Sequence, residues 1–235
     1  MLVSFRLMKP TPAKAARKAK YRILILDDHP IMREGLTQLL SREVDLQVCA
    51  EAHDVPEALE RIPKHQPDLL LADLSLPGRS GLDLIKDIQI QHPDVKVLVL
   101  SMHDESLYAE RVLRAGGRGY IMKQEGGKKL VEAIRKVLDG QIYVSEKMAG
   151  RILEIFAGSK TQAAASPVAS LTDRELEVFK GIGKGLSTQE IASQLNVSVK
   201  TVEGHRVNIK SRLQLTSLPE LVHKAVLWVE SNGPE

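Results

Sequence analysis

Cysteine and aromatic side chains are almost missing from this chain. A single cysteine, Cys49, excludes a disulfide framework and a cysteine-built zinc cage. It lies in Leu46-Gln47-Val48-Cys49-Ala50, which reads as a strand, so a small buried hydrophobe is expected there. Aromatics at 3% leave too few rings for stacking on single-stranded nucleic acid. No run approaches the ~20 apolar residues that a membrane span needs. The opening Met1-Leu2-Val3-Ser4-Phe5 is broken by Arg6, so no signal-peptide core is expected. These absences point to a cytoplasmic protein with no membrane partner. What remains is ordinary: 235 residues at 43% hydrophobic are comfortable for two cores.

Charge is unevenly spread. Residues 1–20 carry six Lys and Arg and no acid, a net of +6. Residues 21–165 carry 19 basic and 22 acidic groups, and residues 166–235 carry 8 of each. The overall +3 therefore belongs to the start of the chain and does not argue for nucleic-acid binding by a folded part. Residues 1–20 read as a disordered basic arm.

From Tyr21 two periodicities alternate. Short apolar runs at Arg22–Leu26, Leu46–Ala50, Leu69–Ala72, Val95–Leu100 and Gly119–Met122 read as buried strands. Between and after them stand helical patterns opening at Pro30, Asp54, Gly81, Glu105 and Lys128. Five β-α units over residues 21–140 predict a doubly wound, five-stranded parallel sheet. A further helix, Ser145–Phe156, and a small polar stretch, Ala157–Ser170, form a connecting region over residues 141–170. After it the pattern is purely helical, over residues 171–235. Thr172-Asp173-Arg174-Glu175 and Ser187-Thr188-Gln189-Glu190 are capping boxes. Leu195-Asn196-Val197 is a tight turn, Ser198 caps a third helix to about Leu213, and Ser217-Leu218-Pro219-Glu220 opens a fourth. A short helix, a tight turn and a longer helix make the helix-turn-helix pattern.

The strand ends carry the chemistry. Ile23–Leu26 runs into Asp27-Asp28, Leu69–Ala72 into Asp73, the fourth strand into Ser101 and the fifth into Lys123. Ligand sites of open α/β sheets collect at these carboxyl ends. Three carboxylates in one cleft favour a bound cation or a proton, and hard oxygen donors favour Mg²⁺. A carboxylate is also a nucleophile toward phosphorus. Transfer of a phosphoryl group then needs its oxygens neutralised, which a cation, an ammonium and a hydroxyl supply.

Asp27-Asp28, Asp73 with Pro77 and Gly81 after it, Ser101, and Gly119-Tyr120 before Lys123 together resemble the receiver domain of two-component response regulators. The resemblance implies a flavodoxin-like fold in which Asp73 accepts phosphate from a histidine kinase. It implies Mg²⁺ held by Asp28 directly, by Asp27 through water, by Asp73 and by the backbone carbonyl of Ser75. Ser101 and Lys123 would contact the phosphoryl group, and Tyr120 would change rotamer with Ser101. One departure stands out: Gln124 follows Lys123 where many receivers have proline, so a mobile loop is expected there.

Leu171–Val178, Gly185–Ala192 and Ser198–Ile209 resemble a LuxR-type DNA-binding domain, and the joined layout is that of the NarL/FixJ family. Helical spacing puts Val202, Ile209 and Leu213 of the third helix on a core stripe, with Lys200, Gly204, Val207 and Ser211 opposite. Four basic residues, Lys200, Arg206, Lys210 and Arg212, against Glu203 alone suit phosphate contact. An outward Gly204 admits close approach, and Val207 suits a thymine methyl. The resemblance implies base reading by Glu203, Gly204 and Val207, and phosphate contact by Lys200, Thr201, His205, Arg206 and Lys210 on double-stranded half-sites. The last helix, with Leu218, Leu221, Val222, Ala225, Trp228 and Val229, is more apolar than one core face requires; the resemblance implies a homodimer.

The expected function is a DNA-binding response regulator switched by phosphorylation at Asp73, not an enzyme beyond accepting that group and losing it. The unphosphorylated α/β domain is expected to pack on the helical domain and hinder its third helix. Two alternatives are a phosphorylation-independent DNA-binding regulator and an aspartate-nucleophile phosphatase of the haloacid dehalogenase type. The latter needs a second Asp two residues after the nucleophile, where this chain has Ser75.

Overall fold

The structure is a computed structural model that describes residues 20–74, 76, 81–156 and 167–232. Five strands, β1 (Tyr21–Leu26), β2 (Leu46–Ala52), β3 (Leu69–Ala72), β4 (Lys96–Ser101) and β5 (Gly119–Met122), form one sheet in the order β2-β1-β3-β4-β5. All four pairings are parallel. Helices α1 (Pro30–Ser41), α2 (Val55–His65), α3 (Gly81–Gln91), α4 (Glu105–Arg114) and α5 (Gly127–Leu138) make the crossovers. This is the doubly wound α/β architecture that the alternating pattern predicts.

The strands are apolar throughout because both faces are covered. Ile23, Ile25, Leu69, Leu71, Leu98, Leu100 and Ile121 pack on α1 and α5. Their alternate neighbours Leu24, Leu26, Leu70, Ala72, Val97, Val99 and Tyr120 pack on α2, α3 and α4. Cys49 departs from expectation: it is half-buried, because β2 is an edge strand. Gly119 is required by packing, since a Cβ there would lie 2.8 Å from the Tyr143 carbonyl oxygen and 2.9 Å from Leu98 Cδ1. Tyr143 runs beside β5 as an isolated parallel bridge, accepting from Tyr120 N–H at 2.8 Å.

Helix α6 (Glu146–Phe156) lies against α4. The C-terminal helices are α7 (Asp173–Gly183), α8 (Thr188–Leu195), α9 (Val199–Arg212) and α10 (Leu218–Asn232). Both expected capping boxes form, at Thr172 with Glu175 and at Ser187 with Glu190. Asn196 closes α8 in the left-handed conformation at φ 53°, and Ser198 accepts from Thr201 N–H to start α9. Leu176, Phe179 and Ile182 of α7, Ile191 of α8, Val202, Ile209 and Leu213 around α9, and Leu221 and Ala225 of α10 build this core. Gly183 lets α7 meet the α10 backbone at Ala225, where a side chain would collide. The apolar cluster on the α4 face of the sheet continues into these helices.

Candidate functional site

Strand register assembles the acidic cleft. Leu26 pairs with Ala72, so Asp27 and Asp73 follow side by side at the carboxyl edge, where the strand order reverses. Asp73 N–H donates to the Leu26 carbonyl at 2.9 Å, which fixes the alignment. Ser101 pairs with Met122, so Lys123 emerges beside it. Ligand atoms of Asp27, Asp28, His29 and Asp73 all lie within 4.8 Å of one another.

The counter-charge for this cluster is within the chain. Lys123 Nζ donates to Asp27 Oδ2 at 2.7 Å and to Asp73 Oδ2 at 2.8 Å, with all three side chains at 6% exposure or less. Burial opposes the lysine charge, but the hydrogen bonds to Asp27 and Asp73 outweigh it and hold the pKa above the ordinary lysine value. The mobile loop expected at Gln124 is instead a single 3₁₀ turn, Lys123–Glu125, closed by Gly126 at φ 82°. Glycine at that left-handed position gives the sharp exit that the missing proline left unexplained.

Asp28 differs from its neighbours. Among the described residues its buried Oδ1 accepts no hydrogen bond, although His29 Nδ1 lies 2.9 Å away without hydrogen-bond geometry. A buried carboxylate oxygen without a donor, facing two further carboxylates, fits a hard divalent cation. His29 N–H donates to Asp27 Oδ1 at 2.8 Å. The Ser75 carbonyl, expected as a further ligand, lies outside the described residues.

Ser101 is completely buried, and its Oγ accepts from His103 N–H at 3.2 Å. Tyr120 is buried too and donates its hydroxyl proton to the His103 carbonyl at 2.8 Å. Burial pushes the Tyr120 phenol pKa up. Among the expected site residues, Asp27, Asp28, Asp73 and Lys123 come together directly, while Ser101 and Tyr120 both converge on His103. Sequence reasoning missed His103, and no motif flags it. It also missed His29, which its position directly after Asp27-Asp28 does signal.

The two domains dock through α7. Asp173 Oδ1 accepts from Arg111 at 2.9 Å and its Oδ2 from Lys86 at 3.1 Å. Arg174 donates to Asp83 at 2.6 Å, and Arg111 also donates to the Leu171 carbonyl at 2.6 Å. Lys180 Nζ lies 2.9 Å from His103 Nε2. The expected hindrance of the third helix is therefore corrected. The charges that match the α/β domain sit on α7, and the outward face of α9 is open, with Glu203 and Gly204 exposed and Val207 61% exposed.

On α9 the stripes fall where helical spacing puts them: Val202, Ile209 and Leu213 are buried, and Lys200 and Thr201 are exposed. His205 and Lys210 are half-buried. Arg206 reaches back to donate to Thr188 Oγ1 on α8 at 2.5 Å, so its guanidinium also ties the two helices together. Arg212 pairs with Glu175 at 3.0 Å. On α10, Leu218, Val222 and Leu227 are exposed. No helix among the described residues is long and apolar enough to cross a membrane.

Known proteins share this layout. Residues 23–135 match the response regulator receiver domain, and residues 169–225 match the bacterial regulatory proteins of the luxR family. The oxygen regulatory protein NreC of Staphylococcus carnosus is 41% identical over 209 residues, covering 87% of this chain and 96% of that protein. NreC of Staphylococcus epidermidis is 39% identical over 210 residues, with 87% and 96% covered. Among solved structures, RcsB from Salmonella enterica serovar Typhimurium bound to promoter rprA in the presence of the phosphomimetic BeF3- is similar at 26% identity. Its TM-score is 0.66, over 87% of this chain and 97% of that one. A LuxR-family two-component response regulator from Aurantimonas is 34% identical with a TM-score of 0.55, over 59% and 99%. With its acidic cleft on a five-stranded parallel sheet and its helix-turn-helix behind, the chain belongs to the NarL/FixJ family of response regulators, a receiver domain joined to a LuxR-type DNA-binding domain.

Proposed function

We propose that Asp73 accepts a phosphoryl group from a histidine kinase and that its state controls binding of α9 to promoter DNA. The observation that carries this reading is the cleft itself: three carboxylates whose ligand atoms lie within 4.8 Å, with Lys123 Nζ 2.8 Å from Asp73. In the transfer, an Asp73 carboxylate oxygen forms the new bond to phosphorus while the bond from phosphorus to the donor nitrogen breaks. That nitrogen keeps the electron pair and takes up a proton. Lys123, already hydrogen-bonded to Asp73, aims an ammonium at the added negative oxygens, and the Ser101 hydroxyl offers a further donor. Asp27, Asp28 and Asp73 would hold Mg²⁺, which supplies charge neutralisation at the phosphoryl oxygens when bound. The chain is a stoichiometric acceptor rather than an enzyme, with loss of the phosphoryl group to water as the only turnover.

On the DNA side, the exposed Glu203, Gly204 and Val207 read base edges, with Val207 suited to a thymine methyl. Lys200, Thr201, His205, Arg206 and Lys210 contact phosphates. RcsB structures similar to this chain hold promoter DNA, which supports that placement. The exposed Leu218, Val222 and Leu227 on α10 favour pairing of two copies on half-sites about one helical turn apart. DNA and a kinase as partners place the protein in the cytoplasm.

Incubation of the full chain with a small acyl phosphate tests the chemistry. Wild type is expected to gain one phosphoryl group and Asp73→Asn none; label retained in the variant puts the acceptor elsewhere.

A further inference from the structure

A half-buried amine joins the two domains. Lys180, in α7, holds Nζ 2.9 Å from His103 Nε2 and 5.3 Å from the Tyr108 ring centroid. His103 in turn stacks on Tyr108, with centroids 5.1 Å apart and planes at 23°. The ammonium donates, so Nε2 presents a lone pair and the imidazole is neutral. Burial, then the charges of Lys180, Lys184 and Lys123, lower the His103 pKa to about 3. Burial and Lys184 lower Lys180 to about 8, while Glu177 and Asp73 favour its charged form.

For adhesion alone this is a poor choice of residues. Setting an ammonium against a ring nitrogen and an aromatic face costs desolvation that an apolar side chain avoids. The domains are already joined by Arg174 with Asp83 and by Asp173 with Arg111 and Lys86. What Lys180 adds is a contact with His103, a residue that the switch groups of the acidic site grip on two sides. His103 N–H donates to Ser101 Oγ, and the His103 carbonyl accepts from Tyr120.

The geometry points to a latch in which Lys180 of the DNA-binding domain reads, through His103, whether the Ser101 hydroxyl is engaged at Asp73. It rests on the phosphoacceptor reading above. A Ser101 hydroxyl that turns to donate to a phosphoryl oxygen moves the acceptor that His103 N–H uses. The His103 backbone then shifts, its Nε2 leaves Lys180, and a half-buried ammonium that has lost this acceptor favours release of α7 from the receiver.

Hydrogen exchange on the full chain, with and without a small acyl phosphate, tests the latch, using peptides that span residues 105–115 and 173–183. In wild type the phosphoryl donor is expected to speed exchange there by about tenfold. In Lys180→Met, which has no ammonium to strand, exchange stays slow without the donor, the donor adds little, and labelling of Asp73 is unchanged. His103→Gln, whose amide oxygen still accepts from Lys180, keeps wild-type slow exchange in the unlabelled state. Peptides spanning 96–101 and 199–212 hold the wild-type rate throughout. Labelled wild type with unchanged interface exchange overturns the latch and leaves the phosphoacceptor reading standing. Acceleration by the donor in labelled Lys180→Met as large as in wild type, or acceleration that spreads to the control peptides, also overturns it. Wild type that takes no label overturns the phosphoacceptor reading itself.

Discussion

The acidic cleft and the outward face of α9 use charge in opposite ways. In the cleft, Asp27 and Asp73 are buried at 2% and 3% exposure and share one lysine. On α9, Lys200 and Glu203 stand exposed to solvent. Two of the three carboxylates in the cleft are paired before anything binds, since Asp27 and Asp73 would not be tolerated there without Lys123. The α9 face is incomplete by design of its exposure, and it acquires meaning only against a partner. The difference teaches where sensitivity lies: substitutions in the cleft disturb stability and chemistry together, whereas substitutions on α9 disturb binding alone.

The sharpest way to break this comparison is Asp73→Asn, which removes the acceptor oxygen and is expected to abolish phosphoryl labelling while the chain stays folded. Next is Lys123→Met. It leaves two carboxylates buried without their shared cation, and a loss of roughly 3–5 kcal/mol in denaturant unfolding at neutral pH is expected. Unchanged stability there would show that the cleft is as solvated as α9. On the other side, Val207→Asp should weaken DNA binding by about 1–3 kcal/mol in a fluorescence titration, with the thermal midpoint held. A fall in that midpoint would mean the α9 face is structural after all.

The smallest expected effect is one of pH. The His103 pKa is depressed by burial and by Lys180, Lys184 and Lys123, so the folded state binds its proton less readily than the unfolded chain, whose value is 6.5. Its contribution is therefore fully present above pH 6.5 and lost as pH falls toward 3. Protonation would add a positive charge facing Lys180 of α7, Lys184 just after it and Lys123 after β5, against the Tyr108 ring of α4. Domain docking, followed by energy transfer between fluorophores on the two domains, should weaken between pH 7 and pH 5.

Much of this was legible in the chain because it depends on local rules. Alternating apolar runs such as Ile23–Leu26 can only be two-faced strands, and the capping boxes at Thr172 and Ser187 mark helix starts by hydrogen bonds within four residues. The stripes of α9 follow from a fixed 100° step. What escaped depends on distance in sequence. Lys123 meets Asp27 across 96 positions and His103 meets Lys180 across 77, and no spacing rule reaches that far. The expectation for α9 failed for the same reason: which helix faces the receiver is decided by Asp83, Lys86 and Arg111 meeting Asp173 and Arg174. After Lys123 the bend is made by Gly126, two residues beyond Gln124, and needs no proline.

The close seat of Gly183 against Ala225 has a consequence for how information leaves the receiver. Gly183 seats α7 closely on Ala225 and Val229 of α10, and α9 is packed on the same α7. A tug on α7 therefore turns the four C-terminal helices as one body, as a handle turns a key, and leaves the teeth uncut. Phosphorylation should change how often DNA is held and not which letters are preferred. Sequences selected from random duplexes by the phosphorylated and unphosphorylated chain should share one consensus and differ in yield alone.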